Sequence, residues 1–377
     1  MKMQNEKLCQ QVLELLVSQN IAIESLPDQE LRRLIGRIVS AMPSQEQLTL
    51  SQKADLCSQV YNKMRGLDIL QEFFSRPEIT EIMVNGPQDV FVEQAGLLRR
   101  VNISFHDQED LTDFISRLFG QANKIINEQK PIAGMRLQDG SRIQAVLPPA
   151  APYGPALSIR RFTGIKPSLE NLVSAGTLPD ELAETLKEAV VGRKSIFCSG
   201  GTGTGKTTFL NALSACIPKN ERIITIEDSL ELELQGVDNL LRLEARPPGP
   251  DGTGEVTLGD LIRSSLRLRP DRIIVGEVRG GEAFDMVQAM STGHPGSMST
   301  GHGNSPVEML DRICLMILMN SALPWEAIRR LIVSAIDLII HLVRLPNGKR
   351  IVQEVQRLKD YEDGRFILEP VYVRDVT

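Results

Sequence analysis

Aromatic residues are scarce in this chain: one Trp, four Tyr and eleven Phe, 4% of 377 residues. Tracks for single-stranded nucleic acid combine basic grooves with stacking rings. Here 42 Lys and Arg face 48 Asp and Glu, a net charge of −6. No overall basic field recommends nucleic acid as a partner, local basic patches aside. Cysteine is sparse as well. Cys9, Cys57, Cys198, Cys216 and Cys314 are widely spaced and form no C-x-x-C pair, which fits reduced thiols in a cytosol better than disulfides or zinc. No secretory signal precedes the first polar segment. The most apolar late run, Leu331 to Val343, is interrupted by Asp337 and His341 and falls short of the roughly 20 residues that span a bilayer. The expectation is a cytoplasmic protein that docks on a membrane without crossing it.

What the chain does have is Gly200-Gly201-Thr202-Gly203-Thr204-Gly205-Lys206-Thr207, which fits G-x-x-x-x-G-K-[ST]. The apolar run Ile196-Phe197-Cys198 leads in. A helical pattern leads out, with Phe209, Leu210, Leu213 and Ile217 on one face and Pro218 at its end. Strand, glycine turn and helix is the context this motif needs. Glycines let consecutive backbone N–H groups turn inward around phosphate oxygens, and the following helix aims its positive dipole end at the same place. The nucleotide-binding set is Gly200 to Gly205 with Lys206, Thr207 and Thr208. Lys206 reaches the outer phosphates, and Thr207 offers its hydroxyl to Mg²⁺. The bland alternative is a flexible glycine turn, and the flanking pattern argues against it. ATP and Mg²⁺ are the expected ligands.

The length suggests two or three domains, at roughly 100–200 residues each. Residues 1–65 read as helices, with stripes at Leu8, Val12, Leu15 and Leu16, then Leu31, Leu34, Ile35 and Ile38, then Leu56, Val60 and Met64. Breaks at Met42-Pro43-Ser44 and Ser51-Gln52 separate them. The segment is a helical appendage or a partner-docking arm. Residues 66–165 read as an α+β module. A short helix stops near Pro77, strands flank Asn85-Gly86-Pro87, a helix carries Phe114, Ile115, Leu118 and Phe119, and further strands cover Met135 to Leu147 and Leu157 to Phe162. Lys166-Pro167-Ser168 marks the exit, and a linker over 166–179 follows.

From 180 to 377 strands and helices alternate. A helix covers Asp180 to Val191. Arg222 to Ile226, Asn239 to Leu243 and Arg272 to Val275 are strands. Pro247 to Gly254 is a loop, and Thr257 to Asp260 is a capping signature ahead of Leu261, Ile262 and Leu266. A hairpin turns at Pro346-Asn347-Gly348. Such alternation predicts an α/β, doubly wound, largely parallel sheet. No internal repeat or low-complexity segment is present.

Ligands of such sheets sit beyond the carboxyl ends of the strands. Glu227, Asp228 and Glu231 follow one core strand, and Gly276-Glu277-Val278-Arg279 follows another. Mg²⁺ wants oxygen ligands and keeps several waters; hydrolysis needs a group that orients the attacking water. The expected metal set is Thr207, Asp228 and Glu277. Many P-loop enzymes place a metal-binding Asp where this chain has Gly276. His302, at the end of a short strand after Ser291 to Gly301, is placed at the same sheet edge, in reach of the γ-phosphate or a catalytic carboxylate. His294 is a second candidate, whereas His106 and His341 are not expected to function. Arginines cluster at Arg136, Arg142, Arg160 and Arg161, then at Arg263, Arg267, Arg269, Arg272 and Arg279. An arginine delivered to the γ-phosphate raises the rate of phosphoryl transfer roughly 10³–10⁵-fold.

These stretches together resemble the secretion ATPase superfamily of type II and type IV systems, closest to the tight-adherence (Flp) pilus assembly ATPases. The matching segments are Thr80 to Pro87, Ser158 to Phe162, the glycine loop, Ile226-Glu227-Asp228, Leu243-Glu244-Ala245-Arg246 and Leu268 to Arg279. The resemblance covers about 66–345. It implies a RecA-like C-terminal domain, a smaller α+β N-terminal domain and a homohexamer that drives an inner-membrane platform protein from the cytoplasmic side. It also implies catalytic roles for Lys206, Glu227, Glu231, Glu277, His302, Arg142 and Arg160. The chain departs from the family pattern at Ser229, where a proline is common, and at Gly301 and Gly303, where bulkier residues are usual. The rivals are a conjugation-type secretion ATPase or nucleic-acid translocase on the same core, and a nucleotide-gated scaffold with little turnover.

Overall fold

The computed structural model describes residues 2–19, 23, 26–42, 48–94, 96–162, 168–234, 236–249 and 252–374. Pro43-Ser44 and Lys166-Pro167, read above as a helix break and a domain exit, lie outside the described residues. So do Pro250 and Asp251 in the loop read over 247–254. The chain folds as two compact units, Met1–Thr163 and Gly164–Thr377.

Unit 1 begins with α1 (Lys2–Ser18), α2 (Asp28–Ala41) and α3 (Leu50–Arg65). Val12, Leu16, Leu31, Ile35, Leu56 and Val60 form a core of their own. Thr49 and Gln52 cap α3 reciprocally, which satisfies N–H groups that the first turn leaves open. A short turn precedes α4 (Gln71–Phe74). Then come β1 (Ile79–Asn85), β2 (Val90–Gln94), β3 (Leu97–Arg100), α5 (Gln108–Gln121), β4 (Ile132–Arg136), β5 (Arg142–Val146) and β6 (Ala156–Arg160). The sheet order is β3-β2-β1-β6-β5-β4, with every pairing antiparallel. Leu111, Phe114, Ile115, Leu118 and Phe119 of α5 pack on Ile82, Val84, Ile143 and Ile159. The stretch Met135 to Leu147 is a hairpin rather than one strand. It turns through Asp139-Gly140, where Gly140 has φ of 91°, a conformation that costs glycine nothing.

Unit 2 contains α6 (Leu169–Ser174), α7 (Asp180–Val191), β7 (Ile196–Gly200), α8 (Lys206–Ser214), β8 (Arg222–Glu227), β9 (Asn239–Glu244), α9 (Leu258–Ser265), β10 (Arg272–Val275), α10 (Glu282–Ser291), β11 (Met298–Gly301), α11 (Pro306–Asn320), α12 (Trp325–Ala335), β12 (Leu338–Arg344), β13 (Arg350–Glu362) and β14 (Arg365–Val373). The sheet order is β14-β13-β12-β7-β11-β10-β8-β9. The six strands from β12 to β9 run parallel, and β13 and β14 add an antiparallel margin. Successive side chains go to opposite faces. Phe197, Ile224, Ile226, Ile273 and Val275 pack with α9 to α12. Ile196, Cys198, Ile223 and Ile274 pack with α6 to α8. Strands buried on both faces read as near-continuous apolar runs.

Residues 169–174 lie in the stretch read as a linker, yet they form α6. Ser168 caps it, accepting from Asn171 N, and Leu169 and Leu172 join the core beneath α7. The late apolar run Leu331 to Val343 is two elements, the end of α12 and most of β12. At the amino ends of the strands, Arg272 is fully buried. It donates twice to Glu221, at 2.7 and 3.0 Å, and once to the Val190 carbonyl at 2.7 Å. No described helix is long and apolar enough to cross a membrane.

Candidate nucleotide site

β7 is wholly buried and runs into the glycine-rich loop. Gly205, at the entry to α8, has φ of 92°, a left-handed conformation that suits glycine. Lys206 opens α8 and is buried. Its Nζ donates to the carbonyls of Gly200 at 3.0 Å and Gly201 at 2.9 Å, and lies 3.5 Å from His302 Nδ1. Thr204 also turns inward, donating to the Gly201 carbonyl at 3.0 Å. Thr207 is half-buried beside Lys206, and Thr208 is exposed.

β10 and β11 are parallel neighbours, so the residues just past their ends come together. His302 follows β11 directly, and Glu277 stands two residues beyond β10. His302 Nε2 lies 2.9 Å from Glu277 Oε1. The approach is at ion-pair distance but too oblique for a hydrogen bond, and Oε1 has no other hydrogen-bond partner. Glu277 Oε2 accepts from Arg279 Nε at 2.9 Å and Nη2 at 2.6 Å. Arg279 Nη1 lies 3.7 Å from Asp228 Oδ2, beyond β8. A polar row thus runs Lys206, His302, Glu277, Arg279, Asp228.

The charges along this row are set by their surroundings. Burial, and next the Lys206 ammonium, push the His302 pKa below its ordinary value, against the pull of Glu277. The neutral imidazole is thereby favoured. Burial acts to lower the Arg279 pKa, but its bonds to Glu277 and the fields of Asp228 and Glu231 outweigh this and raise it.

Glu227 plays a different part from its acidic neighbours. It is buried at the end of β8, and its Oε2 accepts from the backbone of Glu231 at 2.7 Å and Leu232 at 2.8 Å. Its Oε1 is buried without a hydrogen-bond partner. Burial raises the Glu227 pKa, although the two N–H groups oppose the shift. The glycine at 276 has a reason here: a Cβ on Gly276 would stand 3.0 Å from Glu227 Cγ. Gly301 likewise admits Met309 of α11, since a Cβ there would stand 2.7 Å from Met309 Cε.

Lys206, His302, Glu277 and Asp228 are therefore brought together. Glu231 meets Glu227 through its backbone. Within unit 1, Arg142 and Arg160 are register partners on β5 and β6, and the row continues to Arg136 on β4 and Glu81 on β1. His294 sits at the opposite end of the strands, with Nδ1 3.1 Å from the Pro270 carbonyl. His341, not expected to function, is buried in β12, and its Nδ1 lies 2.8 Å from the Ser199 hydroxyl just ahead of the loop.

Two basic side chains at the loop escaped the sequence reading. Arg350 Nε donates to the Gly203 carbonyl at 2.9 Å, and Arg344 stands on the same side. The available signal was that both flank the Pro346-Asn347-Gly348 turn. What the sequence does not say is that β12 lies beside β7. Among the described residues, no three of His, Cys, Asp and Glu group into a metal cage. Mg²⁺ bound with a nucleotide needs only one or two carboxylates, with phosphate and water completing its shell. The hard oxygens of Thr207, Asp228 and Glu277 fit that requirement, with Arg279 already engaging one oxygen of Glu277.

Residues 63–366 match the family model described as Type II/IV secretion system protein. The chain belongs to this family. A putative conjugal transfer protein of Mycobacterium tuberculosis is 33% identical over 319 residues, 83% of this chain and 90% of its own length. The type IV secretion system protein PtlH of Bordetella pertussis is 34% identical over 302 residues, 74% of this chain and 89% of its own. VirB11 of Brucella suis, also a type IV secretion system protein, is 32% identical over 306 residues, 73% and 84%. Among solved structures, the Legionella pneumophila ATPase DotB gives a TM-score of 0.57 at 19% identity, covering 86% of this chain and 85% of that one. The pilus retraction motor PilT gives 0.53 at 20% identity, covering 79% and 83%. The fold of this type II/IV secretion protein is the RecA-like α/β fold that the resemblance implied.

Proposed function

We propose that the protein is an ATP-hydrolysing motor of a secretion or pilus system. The observation that carries this reading is the meeting of Lys206, His302 and Glu277, from three separate elements, beside one glycine loop. In this reading the loop N–H groups and Lys206 hold the phosphates. Glu277 orients the attacking water, Arg279 holds the Glu277 carboxylate through Oε2, and neutral His302 faces its other oxygen. Bound Mg²⁺ supplies charge to the phosphate oxygens as negative charge develops there. Glu227 holds the 231–232 backbone that carries Glu231, and Asp228 faces the metal's water shell.

Arg142 and Arg160 supply positive charge to the γ-phosphate. Like charges directly opposite on paired strands are destabilising, so a row of three arginines across β4, β5 and β6 makes physical sense where an anion is to be met. The working assembly is a homohexamer on an inner-membrane platform protein, peripheral to the membrane. Binding energy to the γ-phosphate is the lever, because it disappears on hydrolysis.

The names of the relatives favour a conjugation-type or type IV secretion setting, while the motif stretches resemble tight-adherence pilus ATPases. Steady-state hydrolysis by the purified protein tests the motor against a nucleotide-gated scaffold, and stimulation by DNA or RNA would favour a translocase. Lys206→Ala is expected to abolish both nucleotide binding and hydrolysis. Near-normal turnover in that variant would refute the site.

A further inference from the structure

The turn between β12 and β13 brings two arginines to the phosphate loop. Arg344 closes β12, Arg350 opens β13, and the two are register partners. Arg350 Nε donates to the Gly203 carbonyl at 2.9 Å. A Cβ on Gly205 would stand 3.2 Å from Arg350 Cδ, and one on Gly203 would stand 3.3 Å from Arg344 Nη1. The hairpin is anchored at a second place: Val352 N of β13 donates to the Thr177 carbonyl at 2.8 Å. The Arg350 donor therefore stands on a strand that is held at a further point, Val352.

A loop that turns its N–H groups toward phosphate must turn carbonyls outward. An outward carbonyl at the tip of such a loop has no ladder partner and takes its donor from elsewhere. We propose that Arg350 is a positioning residue for nucleotide binding: its Nε–H bond to Gly203 holds the phosphate loop in its receiving form, so that it acts through the loop and not on the nucleotide. This rests on the reading of the loop as a nucleotide site. Arg344 packs against Gly203 beside Arg350.

The test uses the full chain, with binding of fluorescent ATP and ADP analogues in the presence of Mg²⁺ measured beside steady-state kinetics. Gln carries an N–H donor the same number of bonds from Cα as Arg Nε, without the charge. Met keeps the stem and has no donor. Lys keeps the charge but places a methylene where Nε stands. Arg350→Met is expected to weaken nucleotide affinity about tenfold, with KM rising in step and kcat at saturation retained. Arg350→Gln is expected to stay within about threefold of the parent, as one conserved hydrogen bond implies.

Arg350→Lys is expected to bind as weakly as Arg350→Met, which gives a second arm if the Met variant does not fold. Equal losses in Arg350→Gln and Arg350→Met overturn the proposal, because charge rather than the Gly203 bond would then matter. Parent-like affinity in Arg350→Met or Arg350→Lys also overturns it. Parent protein that binds no nucleotide would instead defeat the reading of the site itself.

Discussion

Glu277 has one oxygen firmly held: Oε2 accepts twice from Arg279, while Oε1 faces His302 at 2.9 Å without a hydrogen bond. Such a carboxylate is fixed in direction before any substrate arrives, which is what a water-orienting group needs. Glu277→Gln preserves the shape and removes the charge. It is expected to bind ATP with near-parent affinity and to hydrolyse it roughly 10²–10⁴-fold more slowly, read by nucleotide binding beside single-turnover hydrolysis. Loss of binding would mean that Glu277 has a different role.

Glu227 answers to pH instead. Its folded pKa is raised by burial, so the stability it contributes is full below the ordinary carboxylate pKa of about 4.3 and is lost as pH rises through the raised value. Melting temperature of the parent is therefore expected to fall relative to Glu227→Gln as pH climbs past the ordinary carboxylate range. Parallel curves for the two proteins would show that the buried carboxyl is not the cause.

At this scale the sequence revealed what was local. The glycine loop, Lys206 and the strand-end acids are written in contiguous residues. Arg350 matters only because β12 lies beside β7, and Arg279 meets Asp228 only because β8 lies beside β10, which spacing does not encode. Gly276 looked like a missing ligand until Glu227 proved to occupy the space beside it.

Among the elements, the strand that most constrains its neighbours is β10. Its first residue, Arg272, joins the residue before β8, the end of α7 and the approach to β11 through Glu221, Val190 and Gly296. Removing Arg272 leaves the buried Glu221 with only the longer contact to Arg193, at 3.5 Å, and a buried charge short of compensation is destabilising. Arg272→Met is expected to cost about 3–5 kcal/mol of stability, measured by denaturant unfolding. The double change Arg272→Met with Glu221→Leu is expected to recover much of that loss. A double variant no more stable than the single one would mean that the bonds to Val190 and Gly296 dominate.

Strands with β-branched runs, such as Arg222 to Ile226, and the capped helix behind Thr257 were legible from pattern alone. The helix in the supposed linker was not, because six residues are too few to show a period. Residues 331–343 read as one apolar run because a helix end and a strand start share the same core. Only Asp337, which accepts from Lys194 and from Ser195 N at 2.9 and 2.8 Å, marks the joint.

For the molecule as a whole, each unit carries one part of the proposed site: the glycine loop in one, a line of arginines in the other. Replacing Arg142 and Arg160 together by Gln in the full chain is expected to leave nucleotide binding by unit 2 intact and to reduce turnover on the order of 10³-fold. Relief of the crowded cations should leave the melting temperature unchanged or higher. Unimpaired turnover would remove these arginines from the catalytic account. If the working form is a hexamer, specific activity should also rise with protein concentration as rings assemble.

The Arg272–Glu221 pair sits at the rim of the sheet opposite the glycine loop. That rim is riveted by charges sealed from water, whereas the facing rim ends in side chains that solvent can reach. The parallel strands are thus pinned at one end by a sealed ion pair and left accessible at the end that carries the candidate site.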